Sequence, residues 1–145
     1  MCGISGLFNF TNRNIEAKKI INEIVKIQNH RGPDDNGQWQ SDCKKVLFGH
    51  NRLSIIDLST KGKQPFISID NNFIITFNGE IYNFQEIKKE LISKNIKFRS
   101  NSDTEVIIES YKFWGLEFIS KLRGMFAFSL WAVSYTHLTL PTNGE

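Results

Sequence analysis

Residues 124–131, Gly-Met-Phe-Ala-Phe-Ser-Leu-Trp, put an apolar side chain at every second position. Period two is the signature of a strand with one buried face, so Phe126, Phe128 and Leu130 must be covered by another layer. Candidates for that cover lie just upstream. Phe84, Ile87 and Leu91 recur at helical spacing over 84–95. Ser102-Asp103-Thr104-Glu105 fits a capping box and opens a helix through Val106, Ile107 and Tyr111. Strand-like stretches occur at 3–10, 45–56 and 73–77, and 15–29 reads as an amphipathic helix through Ile20, Ile21, Ile24, Val25 and Ile27. The run 30–37 gathers turn formers and predicts a loop, and Asn78-Gly79 reads as a tight turn. Strands at both ends, helices between them and local strand pairs predict an α+β fold with antiparallel sheets and helices packed outside.

Composition narrows the class. The chain has 145 residues, 40% hydrophobic and 23% charged, enough apolar surface for one domain with a real core. No apolar run approaches the ~20 residues of a membrane span. The start, Met-Cys-Gly-Ile-Ser-Gly-Leu-Phe, has neither the basic nor the long apolar segment of a secretion signal, so the expected compartment is the cytoplasm. A net charge of +3 spread over dispersed lysines, without a basic patch, argues against a nucleic-acid partner. Two cysteines, Cys2 and Cys43, cannot form a disulfide framework. With His30 and His50 they lack the short paired spacings of a zinc site, so no metal is expected.

After Trp131-Ala132 the character of the chain changes. Val133-Ser134-Tyr135-Thr136-His137-Leu138 resembles a translated transposon-end sequencing adapter, and residues 133–145 are read as a non-native tail on a truncated domain spanning 1–132. Loss of closing strands predicts poor stability and low activity for the isolated chain.

Cys2 follows the initiator methionine and is small enough for Met1 to be removed. The product would carry a thiol and a free α-amine on one residue. With reference values of about 8.5 and about 7.7–8.0, the amine can take the thiol's proton near neutral pH, without a histidine.

Five blocks then occur in order: Met1-Cys2-Gly3-Ile4; His30-Arg31-Gly32-Pro33-Asp34; Gly49 through Asp57; Asn78-Gly79-Glu80-Ile81-Tyr82-Asn83; and Ser102 through Ile107. Together they resemble the class II glutamine amidotransferases, with the B type of glutamine-hydrolysing asparagine synthetase as the nearest likeness. The resemblance implies an N-terminal-nucleophile hydrolase fold, stacked antiparallel sheets flanked by helices in αββα order. It implies L-glutamine as substrate and Cys2 as nucleophile, through a cysteinyl thioester. Asn78 and the backbone N–H of Gly79 would hold the oxyanion, where a preorganised donor is worth roughly 10²–10³ in rate. Arg52 would clamp the substrate carboxylate, Asp103 and Glu80 its ammonium, and the backbone at Ile56 would add hydrogen bonds. Plainer readings stay open: a hairpin turn for Asn78-Gly79, a surface ion pair for Arg52, a helix cap for Asp103. The 30–34 loop would be supporting, its Arg31 and Asp34 free to pair.

The glutaminase needs no cofactor by this resemblance. ATP and Mg are expected only in a synthetase domain, which would receive the ammonia and adenylate aspartate; residues 1–132 contain no glycine-rich phosphate loop. A homodimer is left open. Other class II enzymes, making an amino sugar, phosphoribosylamine or a surface polysaccharide, share the blocks, and an inactive binding module is the non-catalytic reading.

Overall fold

In the computed structural model the described residues are 1–9, 11, 15–54, 62–133 and 138–139. β1 (Gly3–Phe8) is followed by α1 (Ala17–Ile27), which runs into a 3-10 turn at Gln28–Arg31. β2 (Asp35–Gln40) and β3 (Val46–Arg52) form a hairpin, and β4 (Phe66–Ile67) leads to β5 (Phe73–Ile81). α2 (Phe84–Ser93) and α3 (Asp103–Trp114) come next. A second 3-10 segment, Gly115–Lys121, then leads to β6 (Gly124–Ala132) and the two-residue β7 (Leu138–Thr139).

The strands make two antiparallel sheets, one ordered β1-β3-β2 and the other β4-β5-β6-β7. Three apolar clusters show how the layers stack. Ala17 and Ile21 of α1 pack with Leu47 and Leu7 on the outer face of the first sheet. Val46, Phe48 and Ile74, with Phe8, Trp39 and Trp131, fill the space between the sheets. Ile75, Phe77, Phe126, Phe128 and Leu130 meet α2 and α3 through Ile87, Leu91 and Ile107 on the far side. The order is therefore helix, sheet, sheet, helices: an α+β, αββα architecture, as expected. The alternating face of 124–131 found its cover in α2 and α3.

Several local expectations change. The loop expected at 30–37 is a 3-10 turn as far as Arg31 and a strand from Asp35. β2 is an edge strand that its own propensities do not favour; pairing with β3, from Asp35↔Arg52 to Gln40↔Leu47, selects it, and Trp39 anchors it against Phe48 at 5.8 Å between ring centroids. Asn78-Gly79 is not a turn. β5 runs straight through it, in register with Ala127 and Phe126 of β6. Gly79 has φ +147°, and a Cβ there would sit 2.2 Å from the Met125 carbonyl oxygen, so glycine is needed to bring two strand backbones together.

The capping box forms by half. Ser102 Oγ accepts the Thr104 N–H at 3.1 Å, but the Glu105 carboxylate reaches past the cap to the backbone N–H groups of Arg99 and Ser100 and to Ser100 Oγ. Glu105 thereby ties down the segment entering α3 as well as its first turn. Of the stretch expected to be a non-native tail, residues 134–137 and 140–145 lie outside the described residues, and the backbone of β7 pairs with β6 at Leu130 and Trp131. No helix among the described residues is long and apolar enough to cross a membrane.

Candidate active site

The site follows from strand parity. In β3 the residues Val46, Phe48, His50 and Arg52 alternate onto the face that meets the second sheet; in β5 Ile74, Thr76, Asn78 and Glu80 do the same toward the first. Two cross-sheet hydrogen bonds fix the alignment: Thr76 Oγ1 donates to the Gly49 carbonyl at 3.3 Å, and His50 Nε2 lies 3.1 Å from the Phe77 carbonyl oxygen. One end of the layer between the sheets is therefore apolar. The other end, where these strands carry His50, Arg52, Asn78 and Glu80, is polar and opens into a cavity of about 150 Å³.

Of the residues expected from the sequence, Cys2, Arg52, Asn78, Gly79, Glu80 and Asp103 all line this cavity. Ile56 lies outside the described residues. Cys2 precedes β1 on the parity of Phe8 and so faces the same layer. The Leu53 N–H points at its sulfur, at 3.3 Å, and the Leu53 carbonyl is 3.6 Å away. Met1 lines the mouth and is exposed.

Arg52 is 9% exposed at the last position of β3. Its strand end is braced by the 30–34 segment. A Cβ on Gly32 would lie 2.3 Å from the Asn51 carbonyl oxygen, so the chain can cross there only with glycine. Asp34 Oδ2 accepts the Ser54 N–H at 2.8 Å. The pairing of Arg31 with Asp34 that the sequence allowed does not form, because Asp34 is taken up by the Ser54 backbone. Asn78 turns its Oδ1 into the protein, where it is buried without a partner. Glu80 is exposed at the rim.

Asp103 sits in the first turn of α3, 5% exposed, where backbone N–H groups and the helix dipole favour an anion. Its Oδ2 accepts the Ile81 N–H at 3.2 Å. Burial still dominates and, helped by the nearby Glu80 charge, pushes its pKa up to about 6; the N–H groups of Ile81, Thr104 and Asp103 itself pull the other way. A carboxyl in this state gains when a cation arrives beside it. The cavity thus offers a thiol, an arginine, an amide and an acidic pair, chemistry suited to a zwitterion with a reactive carbonyl.

Two residues of the site have no role assigned from the sequence: Gln64 lies outside the motif blocks, and His50 lies within the 49–57 block. Gln64 accepts the Phe77 N–H at 2.7 Å and donates to Thr104 Oγ1 at 3.3 Å, joining β5 to the start of α3. His50 is 1% exposed. Because a carbonyl only accepts, Nε2 must carry the proton. Burial, with the Arg52 charge, takes the imidazole pKa down to about 4, so the ring is neutral and Nδ1 is a bare, unpartnered acceptor. Cys43 is remote, exposed at the tip of the β2–β3 hairpin; a hydrogen bond with Ser41, aided by the Lys45 backbone and charge, lowers its thiol pKa.

The layered fold is of the N-terminal-nucleophile amidotransferase type. It superposes on glutamine phosphoribosylpyrophosphate amidotransferase from B. subtilis, solved with ADP and GMP, with a TM-score of 0.71 at 21% identity, over 90% of this chain and 35% of that one. Residues 1–142 match the glutamine amidotransferase domain family, and the chain belongs to it. It is 42% identical over 133 residues to asparagine synthetase [glutamine-hydrolyzing] 1 of Bacillus subtilis, covering 90% of this chain and 21% of that protein. It is 38% identical over 131 residues to asparagine synthetase B [glutamine-hydrolyzing] of Escherichia coli, covering 90% and 23%. Amidase chry2 of Gibberella zeae is 44% identical over 140 residues, covering 90% and 21%. The chain spans about a fifth of the length of these relatives.

Proposed function

We propose that this chain is the glutamine-hydrolysing part of an asparagine synthetase, working in the cytoplasm and passing ammonia to an acceptor domain elsewhere on the same polypeptide. The observation that carries the reading is the convergence of Cys2, Arg52, Asn78, Gly79 and Asp103 on one cavity. With Met1 removed, the Cys2 amine takes the thiol proton. The thiolate then attacks the carboxamide carbon of L-glutamine, whose α-carboxylate meets Arg52 and whose α-ammonium meets Asp103 and Glu80. Negative charge develops on the carboxamide oxygen, facing the Asn78 amide and the Gly79 N–H. Collapse breaks the carbon–nitrogen bond, and the proton held by the Cys2 amine leaves with ammonia. Water attacks the resulting thioester, giving glutamate and the free thiol. No metal or cofactor takes part in these steps. In the synthetase domain, ATP and Mg would activate aspartate.

The likeness to Amidase chry2 of Gibberella zeae supports a second reading, the glutamine-hydrolysing domain of a class II enzyme with another acceptor. The glutamine half is common to both readings.

The test is glutamate release by the full-length protein beside mass spectrometry of its N-terminus. The expected result is a chain beginning at Cys2, active on glutamine and inactive as Cys2→Ser. An active protein that keeps Met1, or an active Cys2→Ser variant, contradicts the reading.

A further inference from the structure

β4 is only two residues long, and its pairing with β5 stops at Phe66↔Ile75. Along that edge Phe77 is the next β5 residue whose N–H and C=O point toward β4, and β4, as far as the described residues go, has no residue paired with it. Two buried side chains take the strand's place. Gln64 Oε1 accepts the Phe77 N–H at 2.7 Å, and His50 lies 3.1 Å from the Phe77 carbonyl oxygen. The Phe77 carbonyl belongs to the peptide that leads directly into Asn78. We propose that His50 is a positioning residue: by donating its Nε2 proton to the Phe77 carbonyl it fixes the peptide that carries the oxyanion donor Asn78.

This rests on the glutaminase reading, in which Asn78 meets the oxyanion. Three observations support the assignment. His50 is 1% exposed and comes from the opposite sheet, so the bond locks the two sheets together at the floor of the cavity. Its Nδ1 is buried without a partner, so the ring's one hydrogen bond is the one to Phe77, and a residue selected for stability alone would not leave that atom orphaned. Its low pKa keeps the ring neutral across the working range, so the Nε2 tautomer is held by the carbonyl it faces. Asn78, for its part, makes no hydrogen bond through its buried Oδ1, so its side chain depends on the backbone for its placement.

The experiment compares His50→Leu, which removes the donor, with His50→Gln, whose amide can still donate near the Nε2 position, in the full-length protein. His50→Leu is expected to lower kcat for glutamine hydrolysis about 10- to 100-fold with KM within about twofold, since small displacements of an oxyanion donor act on the transition state. His50→Gln is expected to recover most of that loss. In an Asn78→Ala background the His50→Leu change is expected to cost less than about threefold, because the group it positions is gone. The inference is overturned by a folded His50→Leu protein with unchanged kcat, by a loss expressed in KM alone, or by multiplicative losses in the double variant. A His50→Gln protein as impaired as His50→Leu overturns it too. Should His50→Leu not fold, His50→Phe, which keeps a ring in the site but has no donor, takes its place with the same expected outcomes. Asn78→Ala alone tests the underlying reading: unchanged kcat there breaks the oxyanion role of Asn78. The clamp is then decided by 15N NMR of His50, where a protonated, slowly exchanging Nε2 upholds it and a protonated Nδ1 overturns it.

Discussion

At one end of the layer between the sheets, Val46, Phe48 and Ile74 pack against Phe8, Trp39 and Trp131. A few residues further along the same two strands, His50, Arg52, Asn78 and Glu80 face a cavity. Parity and backbone are shared, and side-chain chemistry alone differs. The apolar end stabilises the fold, each buried large side chain contributing roughly 1.5–3 kcal/mol. The polar end works against it: the His50 Nδ1 and Asn78 Oδ1 atoms are buried and unpartnered, and the Asp103 carboxyl is desolvated. A chain keeps such a region only where something outside the fold repays it, and here a zwitterionic substrate would. Substitutions at the two ends should therefore separate stability from chemistry.

The largest effect is expected from Cys2→Ala. Glutamate release should fall by at least about 10³-fold while the thermal midpoint barely moves, because the sulfur lies at the cavity rather than in a core. At the opposite end, Phe48→Ala should destabilise the protein by about 3–5 kcal/mol in denaturant titrations, with turnover per folded molecule intact. A Phe48→Ala protein of normal stability but lost turnover would erase the distinction between the ends.

Asn78→Ala comes next. A fall of about 10²–10³ in kcat with little change in KM is expected, and no loss of stability, since its buried oxygen has no partner to leave behind.

Asp103 sharpens the comparison through pH. Its folded pKa of about 6 lies above the ordinary 3.8. The folded state then binds more protons than the unfolded one between those values, so stability falls as pH rises through that window. At neutral pH the charge costs on the order of 3 kcal/mol. Asp103→Asn keeps an oxygen for the Ile81 N–H and should make the protein more stable at pH 7, by on the order of 1 kcal/mol, while raising KM for glutamine by about tenfold or more. In the unaltered protein KM should rise below about pH 6, as protonation removes the partner of the substrate ammonium. Calorimetry and steady-state kinetics across pH 5–8 read both. The smallest effect belongs to Cys43→Ser at the remote hairpin, expected to stay within about 0.5 kcal/mol and to leave turnover unchanged.

How much of this was legible in the sequence depended on how local the cause was. The period-two face of β6, the helices α2 and α3 and the Ser102 cap are written in neighbouring residues, and all were readable. The motif blocks marked the cavity residues because their identities, not their positions in space, carry the signal. β2 was missed because Asp35-Asn36-Gly37 has turn chemistry, and only pairing with β3 makes it a strand. Asn78-Gly79 was misread for a related reason: the need for glycine comes from the backbone of β6, which the local sequence does not reveal. The roles of His50 and Gln64 arise from a strand, β4, that ends too early to serve Phe77, a deficit visible only in three dimensions. The role expected of Ile56 concerns a position outside the described residues.

The most direct test of the account is peptide mapping after reaction of the full-length protein with an electrophilic glutamine analogue, with and without glutamine. Cys43 is exposed and its thiol pKa is lowered, so it can react as background, but glutamine should not protect it. The account predicts one glutamine-protected adduct, on a Cys2 that begins the chain. Label confined to Cys43, or a Cys2 adduct that glutamine leaves unaffected, would contradict it.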